Sequence, residues 1–400
     1  MIALMCSLTV YGQEGFNNVY GEDWVGGVFN ALELKGDTVY AFGTAVEENE
    51  PYWGLLVARM DTSGNLIDYH IHYDEEGNEF TGNLTGRSVT KLSDGSGFAM
   101  AGRLFYQTEN YFLKLDNKGQ ITHFKRYSQD QPEFGFTTFH QILEIEDGFL
   151  ILGSRTLVSI NKLHMFVMRI DREGEKLWEK GFMAEGDRRF SGTIVVKESG
   201  NFLLNGRTSS FFNVPPHLQY YTSLLITFDK DGEELGRFES EPTTEELGAG
   251  LIFFAPNGNI IYPTGKRIYN AELNSYTSQS LIVIRDSEFN LIERKYYYPD
   301  DGRNNQFYGL LDLGDGGWLG FGVKPYKYPT SPHGGKYNAT TGWLLRVDED
   351  IETVWSRVDT ARWSPNLGSE NFLYDAVLLP SGSIIAGGYN RDRESFRDYP

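Results

Sequence analysis

HQILEIEDGFLILGSRTLVSINKLHMFVMRIDREGEKLWEKGF, residues 140–182, is one complete copy of a unit that returns along the whole chain. It contains four short apolar runs: HQILEIE at 140–146, FLILG at 149–153, FVMRID at 166–171 and KLWEKGF at 176–182. A tight acidic-glycine turn separates the first two runs, and the turn Asp171-x-x-Gly174 separates the last two. Working outward, the second run closes on a glycine seven times, at Gly43, Gly102, Gly153, Gly206, Gly265, Gly322 and Gly387. The third run closes on Asp61, Asp116, Asp171, Asp229, Asp286 and Asp348, at successive spacings of 55, 55, 58, 57 and 62 residues. A repeat of that length means that the fold is an array of one unit, closer to the ~50 residues of kelch-type units than to the ~40–45 of WD40 units.

The turns carry their own chemistry. Asp-Gly and Asn-Gly suit two-residue hairpins because both central positions need positive φ. In Asp-x-x-Gly, aspartate caps its own backbone and glycine takes the left-handed position. The fifth and sixth units place Phe289 and Ile351 where that glycine falls. No stretch has convincing helical periodicity, so the chain reads as all-β with four antiparallel strands per unit. Radial stacking of such sheets makes a β-propeller, which leaves only short edges; a solenoid of parallel strands is the rival, with rungs usually shorter than this unit. The expected count is seven four-stranded blades, the last shared between the termini. FNNVYGEDW at 16–24 resembles the fourth-strand segments, while the C-terminus supplies only LYDAVLLP at 373–380 and SIIAGG at 383–388. The third strand of that blade is missing by this reading, which suggests a chain continuing past Pro400.

Residues 13–400 read as one domain. Residues 1–12, MIALMCSLTVYG, are uncharged and largely apolar, with Val10 and Gly12 at the −3 and −1 positions of a cleavage site. They read as the remnant of a secretory signal, which places the protein outside the cytoplasm, in the periplasm, at the cell surface or secreted. Cys6 is the single cysteine, so no disulfide framework is expected. A net charge of −19 argues against nucleic acid, whose binding depends on basic patches that release counterions. Nothing beyond residue 12 is apolar for long enough to span a membrane. The seven histidines are scattered, with no metal-ligand cluster, nucleophile elbow or phosphate loop, so no metal or cofactor is expected. A monomer is expected.

Candidate site residues come from two places. Directly after the second-run glycines stand Arg103, Arg155, Arg207, Lys266 with Arg267, and Lys324. They would ring one mouth of the array, unless they bridge to acids of neighbouring units such as Glu185, Asp187 or Asp301. The long connections on that side, 207–223, 322–342 and 359–371, are rich in aromatics, and loops on a rigid scaffold commonly carry function. Flat rings against sugar faces and arginines on carboxylates or sulfates would suit an acidic polysaccharide. The start of the first strand supplies Arg87, His140, Tyr308, Tyr374 and Asp375, of which His140 and Asp375 form an acid/base pair only if the fold brings them together. The favoured function is a non-catalytic binding or scaffold module for an extracellular glycan or protein. The alternative is a polysaccharide hydrolase or lyase with its site at the channel mouth.

IDREGEKLWEK, with Asp171, Gly174 and Trp178, is similar to the D-x-x-G-x-x-x-W signature of quinoprotein-like propeller repeats. Across 20–390 the chain resembles secreted bacterial propellers with quinoprotein-like or kelch-like blades. That resemblance implies the fold and an extracellular location. The quinone site does not carry over, because the expected blades are too few and no cysteine follows Cys6.

Overall fold

The computed structural model describes residues 2–8, 17–20, 24–80, 87–105, 109–128, 134–158, 162–182, 191–197, 199–209, 220–247, 251–270, 275–297, 305–325, 340–359 and 369–392. Among them no helix occurs. The repeating aspartates do what their spacing predicts. Oδ1 of Asp61 accepts the backbone N–H groups of Ser63 and Asn65, both at 2.8 Å. Asp171, Asp229, Asp286 and Asp348 repeat this i+2, i+4 pattern. Such caps satisfy the backbone of a turn that the strands leave unpaired. At Gly174 the left-handed φ of 78° is one reason for glycine. Close packing is a second, since a Cβ there would lie 2.8 Å from the Phe112 ring of the preceding sheet. Phe289 and Ile351 take the same turn with φ of 72° and 52°. Both are buried, so apolar burial offsets a backbone strain of roughly 1–3 kcal/mol.

Two compact units form, residues 87–117 with 121–306, and residues 1–86 with 118–120 and 307–400. The first, the central unit, contains four sheets in chain order. They begin with Val89–Lys91, Gly97–Phe105, Asn110–Asp116 and Ile121–Tyr127. The second sheet is Phe134–Ile145, Gly148–Leu157, Lys162–Asp171 and Lys176–Phe182. Ser191–Val196, Phe202–Ser209, Tyr221–Phe228 and Glu234–Glu239 make the third, and Phe253–Phe254, Ile260–Asn270, Ser275–Arg285 and Leu291–Tyr297 the fourth. Successive sheets bury their faces against each other. Phe112 and Phe149, both fully buried, meet with ring centres 5.2 Å apart across the first and second sheets, and Phe182 meets Phe228 at 5.6 Å across the second and third. Each such ring contributes about 2–3 kcal/mol through burial.

The second, terminal unit holds the sheet Trp24–Lys35, Thr38–Glu47, Gly54–Asp61 and Leu66–His72. Its other sheet has eight strands and corrects the expected count: among the described residues six sheets form rather than seven. The group Gln306–Asp312, Trp318–Pro325, Thr340–Val347 and Thr353–Asp359 is joined to Ser369–Leu378 by a single parallel pair, Thr340 with Glu370. The missing third strand is also corrected. Ile2–Leu8 pairs with Ile384–Asp392 over seven positions, from Ile2 opposite Asn390 to Leu8 opposite Ile384. Asn17–Tyr20 then pairs on its outer side. The stretch read as a leader therefore completes the sheet, and the outermost strand is the expected one. Tyr20 confirms that placement, because its hydroxyl donates to the carbonyl of Gly64. The equivalent link in the central unit is Tyr127 to Gly174, at 2.7 Å.

Candidate functional site

The first strand of three sheets carries a one-residue bulge, between Phe29 and Ala31, Phe139 and Gln141, and Leu373 and Asp375. The bulged residues are Asn30, His140 and Tyr374. The bulge pushes a carbonyl towards the second strand, and this accounts for glycine at Gly43 and, in the last unit, at Gly388 rather than at the Gly387 read from the sequence. A Cβ on Gly43 would lie 1.7 Å from the Val28 oxygen, and one on Gly388 1.7 Å from that of Phe372. Bulges of this kind re-aim side chains and are frequent near functional sites.

The residue after the bulge ties one sheet to the next. Gln141 accepts the Ile194 N–H at 2.8 Å and donates to the Ile194 carbonyl at 2.7 Å. In the terminal unit Asp375 plays the same part: its Oδ2 accepts the N–H of buried Leu32 at 2.8 Å, and its Oδ1 that of Ala376 at 2.9 Å. Arg87 completes the set within the central unit. Its carbonyl accepts from Ile142 at 2.9 Å. Its guanidinium donates to the Ile252 carbonyl at 3.2 Å and lies over the Phe253 ring at 4.8 Å. His140 sits among these contacts, with Nε2 2.6 Å from the Ser154 hydroxyl. Burial pushes its pKa down to about 4, so the imidazole is neutral at pH 7.

The basic positions are divided. Arg103 is buried, with its guanidinium 3.4 Å from the centre of the Phe136 ring, and desolvation lowers its pKa. Arg155 turns along its own sheet to pair with Glu179 and to cover the Phe166 ring at 5.1 Å. Lys266 pairs with Glu245 at 2.7 Å. Arg207 and Arg267, on the second strands of the third and fourth sheets, are both exposed. Desolvation by the surrounding protein lowers the Arg207 pKa, with an opposing contribution from Tyr221 and a smaller lowering one from the charge of Arg267. The basic positions therefore do not behave alike: Arg103, Arg155 and Lys266 are engaged by neighbours, whereas Arg207 and Arg267 are exposed.

In the terminal unit Lys324 lies 5.8 Å from the Trp343 ring centre. Tyr308 faces Tyr374 at 5.1 Å and Phe372 at 6.3 Å, and Phe372 stacks on Tyr389 at 5.3 Å. All four rings are half-buried. Burial first, and then the Tyr389 phenol, push the Tyr308 pKa up to about 12. Phe372 was missed in the sequence, although strand alternation places it on the face of Tyr374. Phe136, which holds Arg103, carried no sequence signal. Most of the three long connections, at 210–219, 326–339 and 360–368, lies outside the described residues. Among the described residues no group of histidine, cysteine or carboxylates has the arrangement of a metal site, and no helix is long and apolar enough to cross a membrane.

No protein-family model matches the chain, and no curated protein does. Solved structures do. An ulvan lyase of polysaccharide lyase family PL25 aligns with a TM-score of 0.54 at 9% identity, covering 93% of this chain and 98% of the other. The same kind of enzyme bound to -[GlcA(1-4)Rha3S]- aligns at 0.53 and 11% identity, over 93% and 96%. The α-L-arabinofuranosidase of Fusarium graminearum, in complex with arabinobiose, aligns at 0.52 and 10% identity, over 86% and 98%. At such identities the likeness bears on the fold alone. With the strand topology it defines the class: an all-β propeller.

Proposed function

We propose that this protein is an extracellular glycan-binding propeller that recognises an acidic polysaccharide, with Arg207 and Arg267 as the anion-gripping pair. The observation that carries this reading is the placement of these two arginines. Both guanidinium groups are exposed on the second strands of adjacent sheets in a protein of net charge −19, and they offer bidentate donors to a carboxylate or sulfate arriving from outside. Arg87 and His140 in the same unit supply hydrogen-bonding groups on the inner strands. The half-buried rings of Tyr308, Tyr374 and Tyr389 are a platform of the kind on which sugars stack. Lys324, beside Trp343, adds a cation to that unit. The protein is proposed to act as a monomer.

Binding without catalysis is favoured by the ionisation of the candidate acid and base. A general base works best with a pKa near the operating pH. His140 at about 4 and Tyr308 at about 12 are far from it on either side, and the Asp375 carboxylate is engaged by two backbone N–H groups. The second reading is a polysaccharide lyase. It draws on the likeness to the ulvan lyase and on the unprotonated state of His140. The test is binding of polygalacturonate and of a neutral glucan to the protein and to its R207Q/R267Q variant. Loss of polygalacturonate binding by about tenfold or more, with Tm unchanged, supports the proposal. Equal binding of the neutral glucan would overturn it, and release of ultraviolet-absorbing unsaturated ends from any uronate polymer would replace it by the lyase.

A further inference from the structure

The central unit contains a concavity that Arg207 and Arg267 do not line. It lies between the first and second sheets of that unit and has a volume of about 390 Å³. This is within the usual size range of small-molecule sites. Its lining comes from the ends of Asn110–Asp116 and Ile121–Tyr127 on one side, and from the second sheet on the other. Phe139, Phe166, Met168 and Tyr127 provide apolar surface, and Asn110, Ser128 and Thr137 provide polar groups.

The charge of the lining sets the chemistry. Four cations, Lys125, Arg126, Arg155 and Lys176, stand against two carboxylates, Glu175 and Glu179. The carboxylates are already shared: Lys125 pairs with Glu175 at 2.5 Å, while Glu179 is held by Arg155 and, at 3.8 Å, by Lys176. Arg126 reaches Glu109 only at 3.5 Å. The surplus of positive charge lies within one cleft of an otherwise acidic protein, where low-dielectric walls concentrate its field. Aromatic surface next to cations and short polar side chains is the composition that binds a ring bearing hydroxyl and anionic groups.

We infer that this cleft is a separate site for an anionic sugar unit, one or two rings long, bearing a carboxylate or an ester sulfate. Lys125 and Lys176 meet the anion at the rim, and the sugar face packs on the apolar floor. The site stands independently of Arg207 and Arg267, and a polymer chain long enough to occupy both would be held more tightly than by either.

The experiment is titration calorimetry of the R207Q/R267Q protein, in which the first site has been removed, with digalacturonate, a sulfated disaccharide and neutral galactobiose. The expected result is binding of at least one anionic disaccharide, weakened about tenfold by K125Q/K176Q and by added salt, with galactobiose inert. Preference for digalacturonate identifies the carboxylate as the recognised group, and preference for the sulfated disaccharide identifies the sulfate. S128W, which blocks the rim at an exposed residue and leaves the ion pairs intact, should also abolish binding, and it covers the case in which the lysine variants fail to fold. Binding that survives both K125Q/K176Q and S128W, equal binding of galactobiose, or no binding of either anion by the R207Q/R267Q protein would overturn the assignment.

Discussion

Replacing Asp375 by alanine separates a structural carboxylate from a catalytic one. In the fold, Asp375 accepts the N–H of Leu32 at 2.8 Å, and Leu32 is buried on the neighbouring sheet of the same unit. The D375A variant leaves that N–H without its acceptor. An unsatisfied buried donor costs about 1–3 kcal/mol, with the upper part of the range expected because the lost acceptor is charged. At about 2 °C per kcal/mol for a large domain, Tm should fall by roughly 2–6 °C. D375N retains an oxygen acceptor at the same position and should recover more than half of the loss. Gln141 makes the equivalent contact to Ile194 in the central unit, so Q141L should show a penalty of similar size. Differential scanning calorimetry of the four proteins, with polygalacturonate binding measured in parallel, is the assay. If D375A melts with the wild type while losing binding or turnover, the side chain acts on a ligand and the stapling argument is wrong.

Two further outcomes follow from the same geometry. His140 titrates at about 4 in the fold against an ordinary 6.5, so the unfolded chain binds the extra proton between those values, and stability falls as pH drops from 6.5 towards 4 by at most about 3 kcal/mol. H140Q keeps a partner for Ser154 and should flatten urea-melt stability across that window; an unchanged slope would show that other groups set it. Removing Ile2–Leu8 exposes the edge of Ile384–Asp392 and should lower Tm by several degrees and promote aggregation, whereas a chain beginning at Gln13 that is equally stable would show that the segment is dispensable, as a cleaved leader must be.

The repeat was legible because its causes are local. Each Asp-x-x-Gly turn caps itself within four residues, so Asp61, Asp171 and Asp229 announced the boundary between third and fourth strands without reference to anything distant. The all-β class and the outer terminal strand at Asn17–Tyr20 followed from the same spacing. What the one-dimensional pattern did not carry was pairing between segments remote in sequence. Ile2–Leu8 has the composition of a leader, and only the open edge of Ile384–Asp392, nearly the whole chain away, makes it a strand. The merging of the last two groups of strands depends on one parallel pair, Thr340 with Glu370, which no periodicity encodes. The site divides in the same way. Equivalent positions after the closing glycine were readable as basic, but their roles were set by neighbours. Phe136 buries Arg103 and Glu179 neutralises Arg155, while Arg207 and Arg267 are left exposed. Residue type and spacing come from local chemistry, whereas the state of each charge depends on the side chains that the tertiary structure places against it.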